Sequence, residues 1–431
     1  MRDMLTQGWS ELRFGDLCER VVNGGTPSTD SPRYWGAGTP WITGADFTSS
    51  GIGEIRRFVT ELGVRSSATS VVKAGNLLVV TRTGVGKLAV APFDIAISQD
   101  ITGVYLRTGL ADTRFTYYLL SREIEELKKL NQGTSINGIV RADLERHVVR
   151  IPGRIGEQQR IATILTSLDN AIEATEALIE KHQQIKAGLM HDLLTRGVSP
   201  SGELRPRRSD APERYRMQDS QWLPREWQYE RLDDLALRGS GHTPNKNVPE
   251  YWNGGVKWVS LADSHRLDAL YISETELSIS HRGIQNSSAV LHPAGIVVMS
   301  RDAGVGKSAI TTEPMAVSQH FMCWKCDQGI DNHFLYYWLQ FQKRTFENIA
   351  MGSTILTIGL PYFKKLRIAC PVDLEEQRAI ANRLKSADEN LFAMQRHLSK
   401  LRHQKLGLMQ DLLTGKVSVK LSDAALELAI A

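Results

Sequence analysis

Almost every local motif of this 431-residue chain occurs twice, and that duplication constrains the fold more than any single residue does. Thr26-Pro27, Tyr34-Trp35 and Trp41 return 217 residues on as Thr243-Pro244, Tyr251-Trp252 and Trp258. Arg82 and the Gly84-Val85-Gly86-Lys87 loop return as Arg301 and Gly304-Val305-Gly306-Lys307. Gly133-Thr134-Ser135-Ile136 returns as Gly352-Ser353-Thr354-Ile355, and the run from Leu189 to Thr195 as that from Leu408 to Thr414. The offset drifts only from 217 to 220, so two copies of one unit stand in tandem. Pseudo-twofold symmetry is the expectation, and duplex DNA is the leading partner with a matching two-part symmetry.

The length suffices for two or more domains with ordinary cores. A net charge of +4 and a pI near 8.8 permit a nucleic-acid partner without demanding one. No apolar run reaches the eighteen or so residues of a membrane span, and the first residues lack a secretory apolar core. A soluble, cytoplasmic protein with no membrane partner is therefore expected. Four cysteines are too few for a disulfide framework. Cys323 and Cys326 form a C-x-x-C with no second pair at metal spacing, and Val104 and Arg107 occupy the matching stretch of the first copy. Two ordinary semi-buried thiols are expected, and no metal.

Each copy divides into a mixed α/β block and a long helix. The expected segments are 1–155 (block one), 156–197 (first helix), 198–222 (linker), 223–373 (block two), 374–416 (second helix) and 417–431 (tail). Leu77–Thr81 and Ile296–Ser300 read as apolar strands, and Phe115–Leu130 and His333–Asn348 as helices. Glu157-Gln158-Gln159-Arg160 and Glu375-Glu376-Gln377-Arg378 open the long helices with acidic first turns.

In the second helix a heptad seam runs through Ile380, Leu384, Ala387, Leu391, Met394, Leu398, Leu401, Lys405, Leu408 and Leu412. The first helix repeats it as Ile161, Leu165, Leu168, Ile172, Thr175, Ile179, His182, Lys186, Leu189 and Leu193. About 38 residues at roughly 1.5 Å each make a rod near ~57 Å. A helix that long would leave its seam in water unless it paired, and the obvious partner is its twin, antiparallel. The seam lysines predict a weak point or bend in the coil. Gly197 and Gly415 read as helix stops. The turn-forming linker would let block two swing to the far end of the rod.

Gly-Val-Gly-Lys lacks the leading glycine of a phosphate-binding Walker loop, with Thr81 and Arg301 in its place, and it lies between β-prone runs. It reads as a hairpin tip from which Arg82 and Lys87, or Arg301 and Lys307, project, with Gly84, Gly86, Gly304 and Gly306 relieving strain. No Pro-Pro methyltransferase loop exists, and no paired-carboxylate or Ser/His/Asp set recurs. No catalytic residue is expected.

What recurs suits binding. Trp41 and Trp258 read as core anchors, while Thr26, Tyr34, Thr243 and Tyr251 beside them, with the loop glycines Gly84, Gly86, Gly304 and Gly306, are expected in the DNA-binding surface. The loop cations are either solvated decoration or contacts to phosphates and base edges. Gln99 and Gln319 either read adenine or serve internal hydrogen bonds. Ser135, Asn137, Ser353 and Thr354 lie in turns whose hydroxyls and amide either bind phosphate or cap the next element.

This ordered set resembles the specificity subunit of Type I restriction–modification systems over about residues 8–416. Gly25-Thr26-Pro27, Tyr34-Trp35, Trp41-Ile42, Thr81-Arg82 with Gly-Val-Gly-Lys, Ser98-Gln99, Gly-Thr-Ser-Ile-Asn, Glu157-Gln158-Gln159-Arg160-Ile161-Ala162 and the Leu-Met-x-Asp-Leu-Leu-Thr helix end carry it. The resemblance implies two mixed α/β target-recognition domains separated by two helices that form an antiparallel coiled coil. It implies that each domain reads half of a bipartite, asymmetric double-stranded DNA site. It implies docking of two modification subunits that methylate adenine N6 with S-adenosylmethionine. Restriction subunits using ATP and Mg would join them where the system has any, and this chain would bind no cofactor. The rival reading is a protein-interaction adaptor, assembled through its coil, that binds no DNA.

Overall fold

The computed structural model describes residues 8–48, 51–129, 139, 141–327, 329–351 and 356–419. Two compact units divide inside the long helices: Met1–Glu176 with Arg396–Ala431, and Ala177–Gln395.

Block one has three layers, and the alternation along one strand shows why. Leu77–Val80 is buried at every residue. Leu77 and Val79 pack with Phe115, Tyr118 and Leu119 of the helix Thr113–Lys129, whereas Leu78 and Val80 pack with Ile42, Ile95 and Ile97 of a second sheet. A strand covered on both faces needs a continuous apolar run, which is what the sequence supplies. One sheet runs Cys18–Asn23, Ile101–Leu106, Leu77–Val80, Leu88–Val90, and the other Arg57–Val59, Trp35–Ile42, Ile95–Ile97, Ser70–Val72.

Block two repeats the plan, with Val297 and Met299 against Phe334 and Val298 against Val259 and Val317. Its first sheet gains a fifth strand, Tyr271–Ile272, parallel to Ser308–Thr311. The helix expected over His333–Asn348 is broken into Asn332–Phe341 and Lys343–Ile349, and the break sets Phe346 edge-on to Trp338 in the core. In each block an antiparallel strand pair leads into the long helix, Trp9–Arg13 with Val148–Pro152 and Trp227–Arg231 with Arg367–Pro371.

The long helices span Ile155–Thr195 and Leu374–Leu412. Gly197 and Gly415 stop them in the left-handed region, at φ +68° and +73°. In the first unit Asp169 pairs with Lys405 and Glu176 with Arg402, so the segments run antiparallel. In the second, Lys186 pairs with Asp388 and the Val198 N–H donates to Glu376, again antiparallel. None of the twenty seam residues is exposed. Ile161, Leu165 and Leu412 are buried in the block-one core, and Leu193, Ile380 and Leu384 in that of block two. Each fully buried leucine contributes on the order of 2 kcal/mol. Ile179, Leu391 and Leu401 are also buried, whereas Leu168, Ile172, Leu189, Leu398 and Leu408 are half-buried.

Two expectations fail here. The seam lysines do not interrupt or bend the helices: each ammonium meets an aspartate of the facing helix, and that aspartate also accepts a tyrosine hydroxyl. Asp169 takes Lys405 at 2.6 Å and Tyr118 at 2.7 Å, while Asp388 takes Lys186 and Tyr337. Residues 198–222 are not a loose linker either. Arg205, 5% exposed, holds Glu376 through both guanidinium nitrogens, and the same carboxylate accepts from the Trp227 indole at 3.0 Å. Tyr215–Gln218 pairs with Gln221–Pro224 as a hairpin. The turn formers shape this path because a buried ion pair and a hairpin fix its ends. Within the tail, residues 420–431 lie outside the described residues.

Candidate nucleic-acid interface

The rim of block one is built where the chain crosses between sheets. Ile95–Ile97 lies parallel to Trp35–Ile42, the chain turns at Ser98-Gln99-Asp100, and Ile101–Leu106 continues in the other sheet. Ser98 is buried and its N–H donates to the Ile42 carbonyl at 2.9 Å, leaving Gln99 exposed at the turn. The Gly24–Thr26 loop lies directly on this crossover. A Cβ on Gly24 would sit 2.2 Å from the Ile97 and Ser98 carbonyl oxygens, so only glycine allows the approach. Gly241 is equally constrained, at 1.6 Å from the Val317 carbonyl oxygen. The loop is pinned by the buried indoles, Trp41 donating to the Gly25 carbonyl and Trp258 to that of His242, both at 3.1 Å. The tryptophans are thus core anchors that also hold a surface loop.

This packing joins residues far apart in sequence. Thr26 donates its hydroxyl to Gln99 Oε1, and Thr243 to Gln319 Oε1, at 2.5 Å in both copies. Beside each pair stands the hairpin of the Gly-Val-Gly-Lys loop, with Leu88–Val90 returning on Leu77–Val80 in block one. Gly84, Gly86, Gly304 and Gly306 all have positive φ, as the tip reading expects. The Arg82 N–H donates to the Asp100 carbonyl, and the Arg301 N–H to that of His320. Threonine, glutamine and arginine therefore converge on one rim in each block.

The lysines do not project. Lys87 Nζ donates to the Phe47 carbonyl at 2.8 Å, and Lys307 Nζ to that of Ser264 at 3.0 Å. The positive-φ glycines fold the loop back over a neighbouring 3-10 turn, whose free carbonyls attract the ammonium. Arg82 is exposed as expected. Arg301 is half-buried, with Nε on the Ile358 carbonyl at 3.0 Å and Asp302 at 3.7 Å, so it does not project freely. Tyr34 and Tyr251 are half-buried in 3-10 turns, and their carbonyls accept from Thr60 and Ser280. Ser135, Asn137, Ser353 and Thr354 lie outside the described residues. The chain nearby returns to the arginine rim, Ile139 donating to the Thr81 carbonyl and Ile358 to that of Arg301.

Recurrence also marked residues whose work the helical pattern did not show. Gln158 and Gln377 are fully buried. Gln158 accepts from the Asp112 N–H and donates to the Leu110 and Pro152 carbonyls, and Gln377 repeats this with Asp331, Gly329 and Pro371. Each locks a long helix to its block. In the C-x-x-C, Cys323 is buried, which pushes its thiol up to about 12, and burial pushes Cys326 up as well. Among the described residues no helix is long and apolar enough to cross a membrane.

Fold and rim define a recognition scaffold: two α/β blocks with matching polar rims, each locked to a long paired helix. The family comparison gives the same class. A model of the Type I restriction modification DNA specificity domain matches twice, over residues 6–184 and 224–401. The chain belongs to this family of Type I specificity subunits. The MjaVIII specificity subunit of Methanocaldococcus jannaschii is 25% identical over 335 residues, 75% of each chain. The MjaIX subunit of the same organism is 28% identical over 171 residues, a match spanning 39% of this chain and 39% of the relative. The S subunit of the M. genitalium Type I system is similar in fold, with a TM-score of 0.58 at 15% identity, covering 96% of this chain and 97% of that one. A chain from a structure of complex assembly and conformational transition in a type I R-M system has a TM-score of 0.55 at 16% identity, covering 96% and 99%.

Proposed function

We propose that this chain reads a bipartite, asymmetric DNA target in the cytoplasm, one half with each block, and that its paired helices dock two modification subunits. The observation that carries the reading is the twice-built rim, in which a threonine orients an exposed glutamine beside an arginine. Each glutamine oxygen keeps a second lone pair beside an amide with two N–H donors, of which Gln319 has at most one on His320 Nε2 at 3.3 Å, and this combination pairs with adenine N6 and N7. Catalysis lies elsewhere in the assembly. The modification subunits methylate adenine N6 with S-adenosylmethionine, restriction subunits where present use ATP and Mg, and this chain binds no cofactor.

Mapping methylated adenines in cells expressing the full system tests this. Wild type is expected to give a split, asymmetric motif. Gln319→Ala is expected to relax one half alone, by about 1–3 kcal/mol of discrimination. A methylation pattern unchanged by removing this chain refutes the proposal.

A further inference from the structure

Block one carries a cationic groove whose arginines the repeated motifs do not include. It encloses about 620 Å³ between Thr29, Pro32, Trp35, Arg56, Arg57 and Phe58. Its rim belongs to the loop that orients Thr26 on Gln99, since Thr29 and Pro32 follow Thr26 by three and six residues. Trp35 is fixed edge-on to Trp41, at 5.0 Å between centroids, and donates its indole N–H to the Ser28 carbonyl. Arg56 is held by the buried Asp46, itself locked by the Thr43 capping box, yet its side chain remains 61% exposed. Arg57 is exposed, with its guanidinium over the Trp35 ring at 5.7 Å.

Strand register identifies the same place in block two. Arg57 lies opposite Trp41, and Leu277 opposite Trp258. Arg56, Arg57 and Phe58 are there replaced by Glu276, Leu277 and Ser278. Glu276 is paired with Arg266, and Glu274 with Lys257. The strand positions thus differ in charge sign on one fold, whereas on the loop an exposed Lys246 stands where block one has Thr29.

We propose that the Arg56–Arg57 groove is a phosphate-binding subsite for the DNA backbone, present in block one and absent from block two. Two planar guanidinium groups, one preset by a buried carboxylate and one stacked on an indole, match the forked geometry of phosphate oxygens. The adjoining Thr29 hydroxyl adds a neutral donor. This rests on the DNA-reading role proposed above and adds an asymmetry to it: block one neutralises backbone charge from this strand corner, where block two has a carboxylate.

The test is a salt titration of duplex binding by the full chain assembled with its modification subunits, using the methylated motif as probe. Arg57→Ala removes one phosphate contact, so the log–log salt slope falls by about 0.9 and affinity at 0.1 M salt by roughly 8-fold. Arg57→Lys keeps the slope. Leu277→Arg steepens it by a similar amount. A wild-type slope in Arg57→Ala overturns the subsite while leaving the DNA-reading role intact. Absence of any binding by the wild-type assembly overturns that role and the subsite with it.

Discussion

At the corner where block one presents Arg56 and Arg57, block two presents Glu276 and Leu277, although the strands beneath them share one register. The buried aspartate below is kept in both, with Arg56 on Asp46, and with the Glu276 N–H and, at 3.6 Å, Arg266 on Asp263. A second contrast lies at the helix starts. Glu376 is held by Arg205 and Trp227, whereas burial raises the pKa of Glu157, which has only the Trp9 indole among its lowering hydrogen bonds. Repeated residues therefore build the frame, and unrepeated ones set the charge that each frame displays.

The largest expected effect falls on the shared frame. Gln158→Leu or Gln377→Leu strands three buried backbone groups, a loss of about 3–6 kcal/mol. Urea unfolding should show similar losses for the two variants, and a difference of several kcal/mol would break the equivalence of the blocks. Arg205→Ala leaves Glu376 buried without its cation and is expected to cost about 3 kcal/mol. Its counterpart Glu157→Gln is expected to cost less than about 0.5 kcal/mol. A raised carboxyl pKa favours the folded state most when protonated, so that variant also removes a stability loss that sets in as pH rises from about 4.5 through the folded pKa.

The smallest effect is pH-dependent. Burial lowers the His292 pKa below its usual 6.5, while its register counterpart in block one is Val72. With the folded pKa below the unfolded one, His292 contributes fully above about 6.5 and loses that contribution as pH falls through the folded pKa. His292→Val should flatten the thermal stability of block two between pH 7.5 and 5.5, and a pH profile identical to wild type would refute this.

Much of the frame was legible because it recurs. The strand runs around Leu77 and Val297, the stops at Gly197 and Gly415, and the seam from Ile161 to Leu193 all carried their own patterns. The direction of Lys87 was not legible: a positive-φ turn folds it inward, and residue identity alone does not say which way a loop returns. Arg205 meets Glu376 across 171 residues, a pairing with no second copy to mark it. Arg56 and Arg57 escaped for the same reason, since motifs found by recurrence omit whatever distinguishes the copies. Gln158 and Gln377 did recur, but a helix-opening pattern does not show that their amides are buried.

The docking of the helix ends bears on the order of assembly during synthesis. The unit around block two is one continuous stretch, Ala177–Gln395, and can close once its own residues have emerged. The earlier block is completed by Leu412 and Leu413, so its core must wait, incomplete, until those residues, beyond the whole of block two, have been made. The part made first is the part finished last, and its half-open apolar layer is the surface a nascent chain must keep from aggregating.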